Sequence, residues 1–563
     1  MKKRILSIVA LSAMTLSLTA CQFISDYFSN FINYGGEDSF NQIVASSHQP
    51  ISDVSTPPAG DIRTSHASYT YMDYVSNSIY PFSCTPSLGN ANLLVIPVWF
   101  NDSNQFIKDS HKETVRDEIF DIYFGDTDVT GWHSVKTYYE EESHGKLTLS
   151  GTVSEWYEVN KSYTYYATDE PSEISGAPKT TSLVETATEW YFETHNDEKR
   201  TDYDCDNDGY LDGVMLIYAA PDYNTLSRDS YSNLWAFCYW TQDYESQSFS
   251  NPGVNAFFWA SYDFMYGRDI AYSHTGSRYG AGDTSHCNLD AHTYIHEMGH
   301  MFGLEDYYDY SSYDYSPAGG FCMQDYNVGG HDPFSSFALG WGQAYIPTET
   351  INIDLKPFVT SGEMILLTPS WNSYNSPFDE YILLEYYTDQ SLNELDSTYS
   401  YMSTYGKQYP MGTKEYGIRV WHVDARLLYT ATGAFSEKRI TSNPKIASGR
   451  VVNLTSNTYD DGSDYARQYV SPLAQDPNAS GYNAIYAQYN LLHLIRNKSN
   501  ANTKPRDYFD GSSLFKTGDS FSMSSFAKQF VNSGKLNSKT DLGFTFKVNA
   551  CNNTYASITV TKV

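Results

Sequence analysis

His296-Glu297-Met298-Gly299-His300-Met301-Phe302-Gly303-Leu304-Glu305-Asp306 is the stretch on which the reading of this chain turns. On a helix, residues four apart stand one turn above each other on one face. His296 and His300 can therefore present imidazole nitrogens to a single metal ion. Glu297, one residue on, points about 100° away and is placed to take a proton from a water beside that metal. Gly303 can adopt positive φ and end the helix, so the chain can fold back and bring Asp306 to the same point. Two imidazoles and one carboxylate leave a fourth position open, which is what a catalytic zinc needs. Glu305 or Glu297 in place of Asp306 is the competing assignment of the third ligand.

Downstream lies Gly319-Gly320-Phe321-Cys322-Met323-Gln324-Asp325-Tyr326. Met323 is placed to lie under such a site, although ordinary core packing explains a methionine there equally well. Tyr326 is a candidate donor to a developing oxyanion. His274 and His422 read as structural histidines.

Working outward, strands are expected at 92–100, 145–153 and 213–218, and helices at 113–124, 134–141 and 181–195. Strands and helices alternate up to the histidine segment, which predicts a mixed α and β domain over 89–345. After Trp341 the texture changes. Segments 380–385, 416–422, 544–548 and 556–560 are strand-like and separated by loops rich in Ser, Asn and Gly. Residues 346–563 are therefore expected to form a β-rich C-terminal region, closing as a β-sandwich.

At 563 residues the chain is long enough for two to four domains, and its net charge is -31. So acidic a surface repels phosphate backbones and argues against nucleic-acid binding. The first 21 residues read as a signal segment: Lys2-Lys3-Arg4, then an apolar run from Ile5 to Leu18, then Leu18-Thr19-Ala20-Cys21. That ending resembles a bacterial lipoprotein processing site, which implies cleavage before Cys21 and lipid on its thiol. The expected location is the outer face of a bacterial cell envelope, membrane-anchored through Cys21. Residues 22–88 read as a tether or pro-segment. Of the seven cysteines, six then remain, enough for up to three disulfides.

Asp204-Cys205-Asp206-Asn207-Asp208-Gly209-Tyr210-Leu211-Asp212 places carboxylates at alternate positions around a glycine. This resembles the start of a calcium loop, with Asp204, Asp206, Asp208 and Asp212 as candidate ligands. Position twelve is Met215 rather than a bidentate Glu.

The histidine segment resembles the metzincin pattern HExxHxxGxxH, with Asp306 in place of the last histidine. Together with Tyr307-Tyr308-Asp309, the 319–323 segment and Phe337-Ala338-Leu339-Gly340-Trp341, it is similar to the immune inhibitor A-like peptidases, metallopeptidase family M six. Ser134 to Val153 upstream, and 417–424 and 514–519 downstream, share that likeness. The resemblance implies an α+β, zincin-like catalytic domain and an exported zinc endopeptidase acting on proteins or peptides. We expect it to work as a monomer, with no nucleic-acid partner. The unusual Tyr/Ser/Asp loop at 309–317 prevents any transfer of substrate preference. The rival reading is a non-catalytic surface lipoprotein binding glycan or host protein, since tyrosine is abundant at 51 residues. Glu297 separates the two readings, because a binding-only protein has no chemical need for a carboxylate there.

Overall fold

The computed structural model describes residues 61–64, 83–127, 132–168, 179–241, 247–266, 289–304, 306–307, 318–398, 412–431, 438–441, 449–453, 459–460, 466–467, 491–497 and 508–563. The signal segment with Cys21, most of the expected tether, His274, Cys287, Glu305 and the 309–317 loop lie outside the described residues. Among the described residues no helix is long and apolar enough to cross a membrane.

The first sheet is built around β2 (Gly89–Phe100), whose apolar run is buried on both faces, as parallel strands usually are. Its other strands are β3 (Leu147–Val153), β4 (Tyr157–Val159), β5 (Val214–Tyr218), β6 (Phe237–Trp240) and β7 (Ala256–Ser261), in the order β3-β2-β5-β7-β6 with β4 beside β2. β2 runs parallel to β3, β4 and β5, and β5 parallel to β7; the edge strand β6 is antiparallel to β7. Side chains alternate between two cores. Leu93, Val95, Met215, Ile217, Phe258 and Ala260 enter one; Leu94, Ile96, Leu216, Tyr218, Phe257 and Trp259 enter the other. Helices α1 (Lys112–Phe124) and α2 (Val135–Glu142) cover the first face, and α3 (Lys179–Thr194) covers the second through Leu183, Val184, Ala187 and Tyr191. Ser134 caps α2 through a reciprocal pair of hydrogen bonds with Thr137.

Helix α4 (His292–Met301) lies in the first core, followed by the short helices α5 (Met323–Tyr326) and α6 (Pro333–Ala338). A second sheet closes over them. Its strands are β8 (Gln343–Pro347), β10 (Glu363–Leu367), β11 (Glu380–Tyr387), β12 (Gly417–Asp424) and β18 (Leu492–Ile495). Met364, Leu366, Leu383, Trp421 and Leu494 face α4's core. The alternate residues Ile365, Leu367, Leu384, Val420 and Ile495 face away, into a third cluster. Across that cluster lies a sheet of β9 (Ile351–Leu355), β19 (Ser520–Phe521), β20 (Phe544–Cys551) and β21 (Ala556–Lys562). Smaller pieces complete the region: β13 (Leu427–Ala431), β14 (Lys438–Thr441) and β15 (Gly449–Asn453) form one sheet, and β16 (Tyr459–Asp460) pairs with β17 (Ala466–Arg467).

Mixed α and β structure followed by β sheets agrees with the sequence reading. The C-terminal strands are not an appendage, however, since β10, β11, β12 and β18 roof the core that holds α4. The expected tether also carries structure. Strand β1 (Asp61–Thr64) pairs antiparallel with β8, extending its edge. Nearby, the Thr85 amide donates to the carbonyl of Met301 at 2.8 Å, and the Trp240 indole donates to that of Ser83 at 2.7 Å. The Met301 carbonyl sits at the open end of a helix, where a donor from outside is required. The sequence offers no periodic signal for so short a strap.

Candidate metal centre

Helix α4 has no side-chain cap at Ala291, and nine of its ten residues are buried. Packing against β6 and β7 rather than intrinsic propensity holds it. It ends as the glycine predicts. Gly303 has φ +94°, and the Leu304 amide donates to the Gly299 carbonyl at 3.1 Å. The reversal returns Asp306 to the histidine face of the helix.

There Asp306 Oδ1 lies 2.8 Å from His296 Nε2 and 3.4 Å from His300 Nε2. The other ring nitrogens are committed. His296 Nδ1 donates to the carbonyl of Met323 at 2.8 Å, and His300 Nδ1 to that of Leu304 at 2.7 Å. A carbonyl only accepts, so each Nδ1 carries a proton, and Nε2, the nitrogen left to bind a metal, faces Asp306 on each ring. Four ligands at the usual zinc distances of ~2.0–2.1 Å stand about 3.3 Å apart along a tetrahedron's edges. The observed 2.8 and 3.4 Å bracket that value, so the donor set fits a zinc ion.

The convergence shifts the pKa values of His300 and Asp306 in opposite directions. Burial alone lowers the pKa of His300, but the charge and hydrogen bond of Asp306 outweigh it and raise it to about 9. Burial likewise raises Asp306, but the facing His300 and His296 outweigh it and hold the carboxyl well below the usual range.

Glu297 completes the group. His296, Glu297 and His300 bring ligand atoms within 4.8 Å of one another, so either carboxylate is near enough to bind. Asp306 Oδ1 lies within 3.4 Å of both Nε2 atoms. Glu297 is 5% exposed, and its Oε2 has no hydrogen-bond partner among the described residues. Burial raises its pKa, while His300 and His296 pull it down.

Met323 acts through its main chain, as the carbonyl that orients His296; its side chain is buried in the same core. Tyr326 ends α5 with its hydroxyl 3.4 Å from that of Tyr508. His422 is structural, as expected, with Nε2 2.9 Å from Glu380 Oε1. Asp204, Asp206 and Asp208 bring carboxylate oxygens within 4.8 Å of one another around a turn where Asn207 and Gly209 have positive φ. Asp212 is engaged elsewhere: its two oxygens accept the amides of Cys205 and Asn92 at 2.9 and 2.7 Å. Cys84, Cys205, Cys322 and Cys551 carry free thiols.

Two participants were not found in the sequence. Gln324, on α5, is fully buried against Gly299, and an added Cβ at 299 would stand 2.2 Å from Gln324 Oε1. His292, one turn before His296, has its Nε2 3.1 Å from Asp396 Oδ2. The spacing His292-His296-His300 was the available signal: three histidines four apart share one helix face.

Comparison with known proteins gives one family. Residues 93–227 match the model described as immune inhibitor A peptidase M6, catalytic domain. The matched stretch runs from β2 past β5 and ends before α4. No curated protein matches the chain.

The Gly299 contact gives a direct test. Gly299→Ala should destabilise the protein by about 1–3 kcal/mol, because buried Gln324 must move to admit the methyl group. Adding Gln324→Ala should recover much of the loss. Thermal melts of both variants check this, and a Gly299→Ala protein melting like wild type would show that the contact has slack.

Proposed function

With the chain assigned to the M6 metallopeptidases by that match, we propose that it is an extracellular zinc-dependent endopeptidase with a zincin-like catalytic domain. His296, His300 and Asp306 hold the metal, and Glu297 is the general base. The observation that carries this reading is the convergence of two imidazole Nε2 atoms and a carboxylate oxygen, beside a second carboxylate with an oxygen unpartnered among the described residues. A zinc ion bound there would polarise the scissile carbonyl and make a neighbouring water more acidic. Glu297 takes the proton of the attacking water and later returns it to the leaving amine. Its buried setting suits this role, since a carboxylate with a raised pKa is a stronger base. The Met323 and Leu304 carbonyls fix the tautomer and direction of each histidine. Tyr326 is the candidate to donate to the developing oxyanion. Substrates are proteins or peptides, and the enzyme acts as a monomer.

Glu297→Gln keeps the size of the side chain and removes the basic oxygen. Zinc content and melting temperature should stay near wild type, while turnover falls by at least ~10²–10⁴-fold. Elemental analysis and peptide hydrolysis on one sample test this, and an active variant refutes the mechanism.

A calcium ion at Asp204, Asp206 and Asp208 is a second part of the proposal. Partial burial and the neighbouring carboxylates raise Asp208 to about 8, and Asp206, which stays open to solvent, to about 6. Folded pKa values above the unfolded ones mean that stability is lost as pH rises, here between about 4 and 8. Calcium should cancel that loss. Melting temperature in chelator should fall across this range and be restored by millimolar calcium; no response to calcium leaves only an acidic turn.

We further propose that Cys21 carries lipid and tethers the enzyme to the outer face of a membrane, from the Leu18–Cys21 segment. Cys21→Ser should abolish incorporation of radiolabelled palmitate. Persistent labelling would remove the anchor from the proposal.

A further inference from the structure

His296 can aim at the metal only if α4 and α5 keep a fixed spacing, because its anchor is the Met323 carbonyl at the start of α5. Tight packing of Gln324 against Gly299 sets a lower limit on that spacing. Something must also prevent the two segments from drifting apart. The residue placed to do so comes from the region after Trp341, in the short helix α8 (Glu394–Thr398), which follows the four-residue helix α7 (Phe358–Ser361) in chain order.

Asp396 is 1% exposed and lies between the two segments. Its Oδ2 accepts the amide of Gly329, in the loop leaving α5, at 2.6 Å. The same oxygen is 3.1 Å from His292 Nε2, and Oδ1 is 3.3 Å from it. His292 stands at the start of α4, one turn before His296. Its Nδ1 lies 2.6 Å from Asp290 Oδ1, and its ring stacks on Trp132 with centroids 4.0 Å apart. Both ring nitrogens therefore face carboxylate oxygens and both donate, which makes His292 an imidazolium between two carboxylates. His133, next along the chain from Trp132, and Glu141, 3.6 Å from it, are the further ionisable groups on this side.

We propose that Asp396 is a positioning residue for the metal centre, joining His292 of α4 to Gly329 beyond α5 so that His296 is held in its ligand direction. This rests on the metal-site reading above. Asp396 touches neither the metal ligands nor the substrate, and it acts through the helix and loop it joins. A second tie from the same region supports the assignment: Arg419 of β12 donates to the carbonyl of Phe321, two residues before Met323, at 3.1 Å. Charged groups so deeply buried are retained where paired, and removal of one partner leaves the other uncompensated.

The test separates the two nitrogens of His292. A glutamine amide nitrogen reaches where Nε2 stands, and an asparagine amide nitrogen reaches where Nδ1 stands. His292→Gln keeps the bond to Asp396 and loses the one to Asp290; His292→Asn does the reverse. Each purified full-length variant is loaded with cobalt(II), and its visible absorption and metal dissociation constant are measured alongside circular dichroism. We expect His292→Gln to resemble wild type. His292→Asn should hold cobalt at least ~10-fold more weakly, with shifted absorption bands and unchanged secondary structure. Equal cobalt affinity and equal spectra in the two variants overturn the proposal. Failure of the wild-type protein to bind one cobalt overturns the metal-site reading itself.

Should His292→Asn not fold, hydrogen exchange on the wild-type protein decides. Zinc should slow exchange of the Gly329 amide more than that of the Val548 amide, which lies in the distant sheet of β20. Equal slowing at both overturns the link.

Discussion

Two imidazole lone pairs and a carboxylate oxygen aimed at one spot repel one another unless a cation stands between them. The middle of this molecule is organised around holding such an arrangement in a dry interior. Neither histidine is free to turn away, because each Nδ1 is bound to a carbonyl held by the fold. Asp306 cannot swing into water, because it is fully buried. The adjoining Tyr307 amide is bound to the Gln324 carbonyl at 2.7 Å. The cost of converging the donors is met by packing throughout the surrounding core, and binding of a divalent cation turns the repulsion into attraction.

That constraint explains why α4 lies between two sheets. A helix buried on nearly all sides needs apolar partners all round. Phe258 and Met215 of the first sheet and Leu383 and Trp421 of the roof belong to the same core as α4. Strands β10, β11 and β12 therefore bear apolar side chains on both faces, one for the catalytic core and one for the cluster shared with β9, β20 and β21. The roof also brings polar ties into the core from a distant part of the chain. The Arg419 guanidinium is buried beside Glu385 and lies 5.0 Å from the Tyr387 ring and 5.1 Å from those of Trp421 and Phe509.

How much of this was legible depends on the range of the interaction. Helical spacing of His296 and His300, the turn at Gly303 and the return of Asp306 are local, and they could be read directly. So could α1 and α2, whose ends fell within a residue or two of expectation, and the apolar runs of β2, β5 and β11. Local pattern carries no record of what a strand packs against. The even and odd residues of β11 look alike in sequence, Ile382 and Leu383 for example, yet they serve different cores. Main-chain roles are hidden for the same reason. Met323 drew attention by its side chain, whereas its carbonyl orients His296. Thr85 closes the end of α4 from a stretch that reads as tether. Asp212 sits in the acidic run by spacing but is drawn away by two backbone amides.

The ionisable groups around the centre are sorted by the same physics. Burial raises Glu142 to about 8, even though the hydroxyl of Ser336 donates to it at 2.8 Å. His331, one residue from Asp332 and fully buried, is pushed down to about 3 by burial and then by His296 and His300. Burial, with nearby acidic groups, lifts the hydroxyls of Tyr138 and Tyr139 far above their usual range. These shifts favour the neutral form of each group, and each serves as a hydrogen-bonding or packing element: Tyr139, for instance, donates to the Ile295 carbonyl at 2.6 Å, immediately before His296. In a low-dielectric interior a stray charge acts over a long range. Glu142, His331 and the tyrosines, shifted toward their neutral forms, add little to a field set by Asp306, Glu297 and the histidines together with the buried pairs Asp396–His292 and Arg419–Glu385.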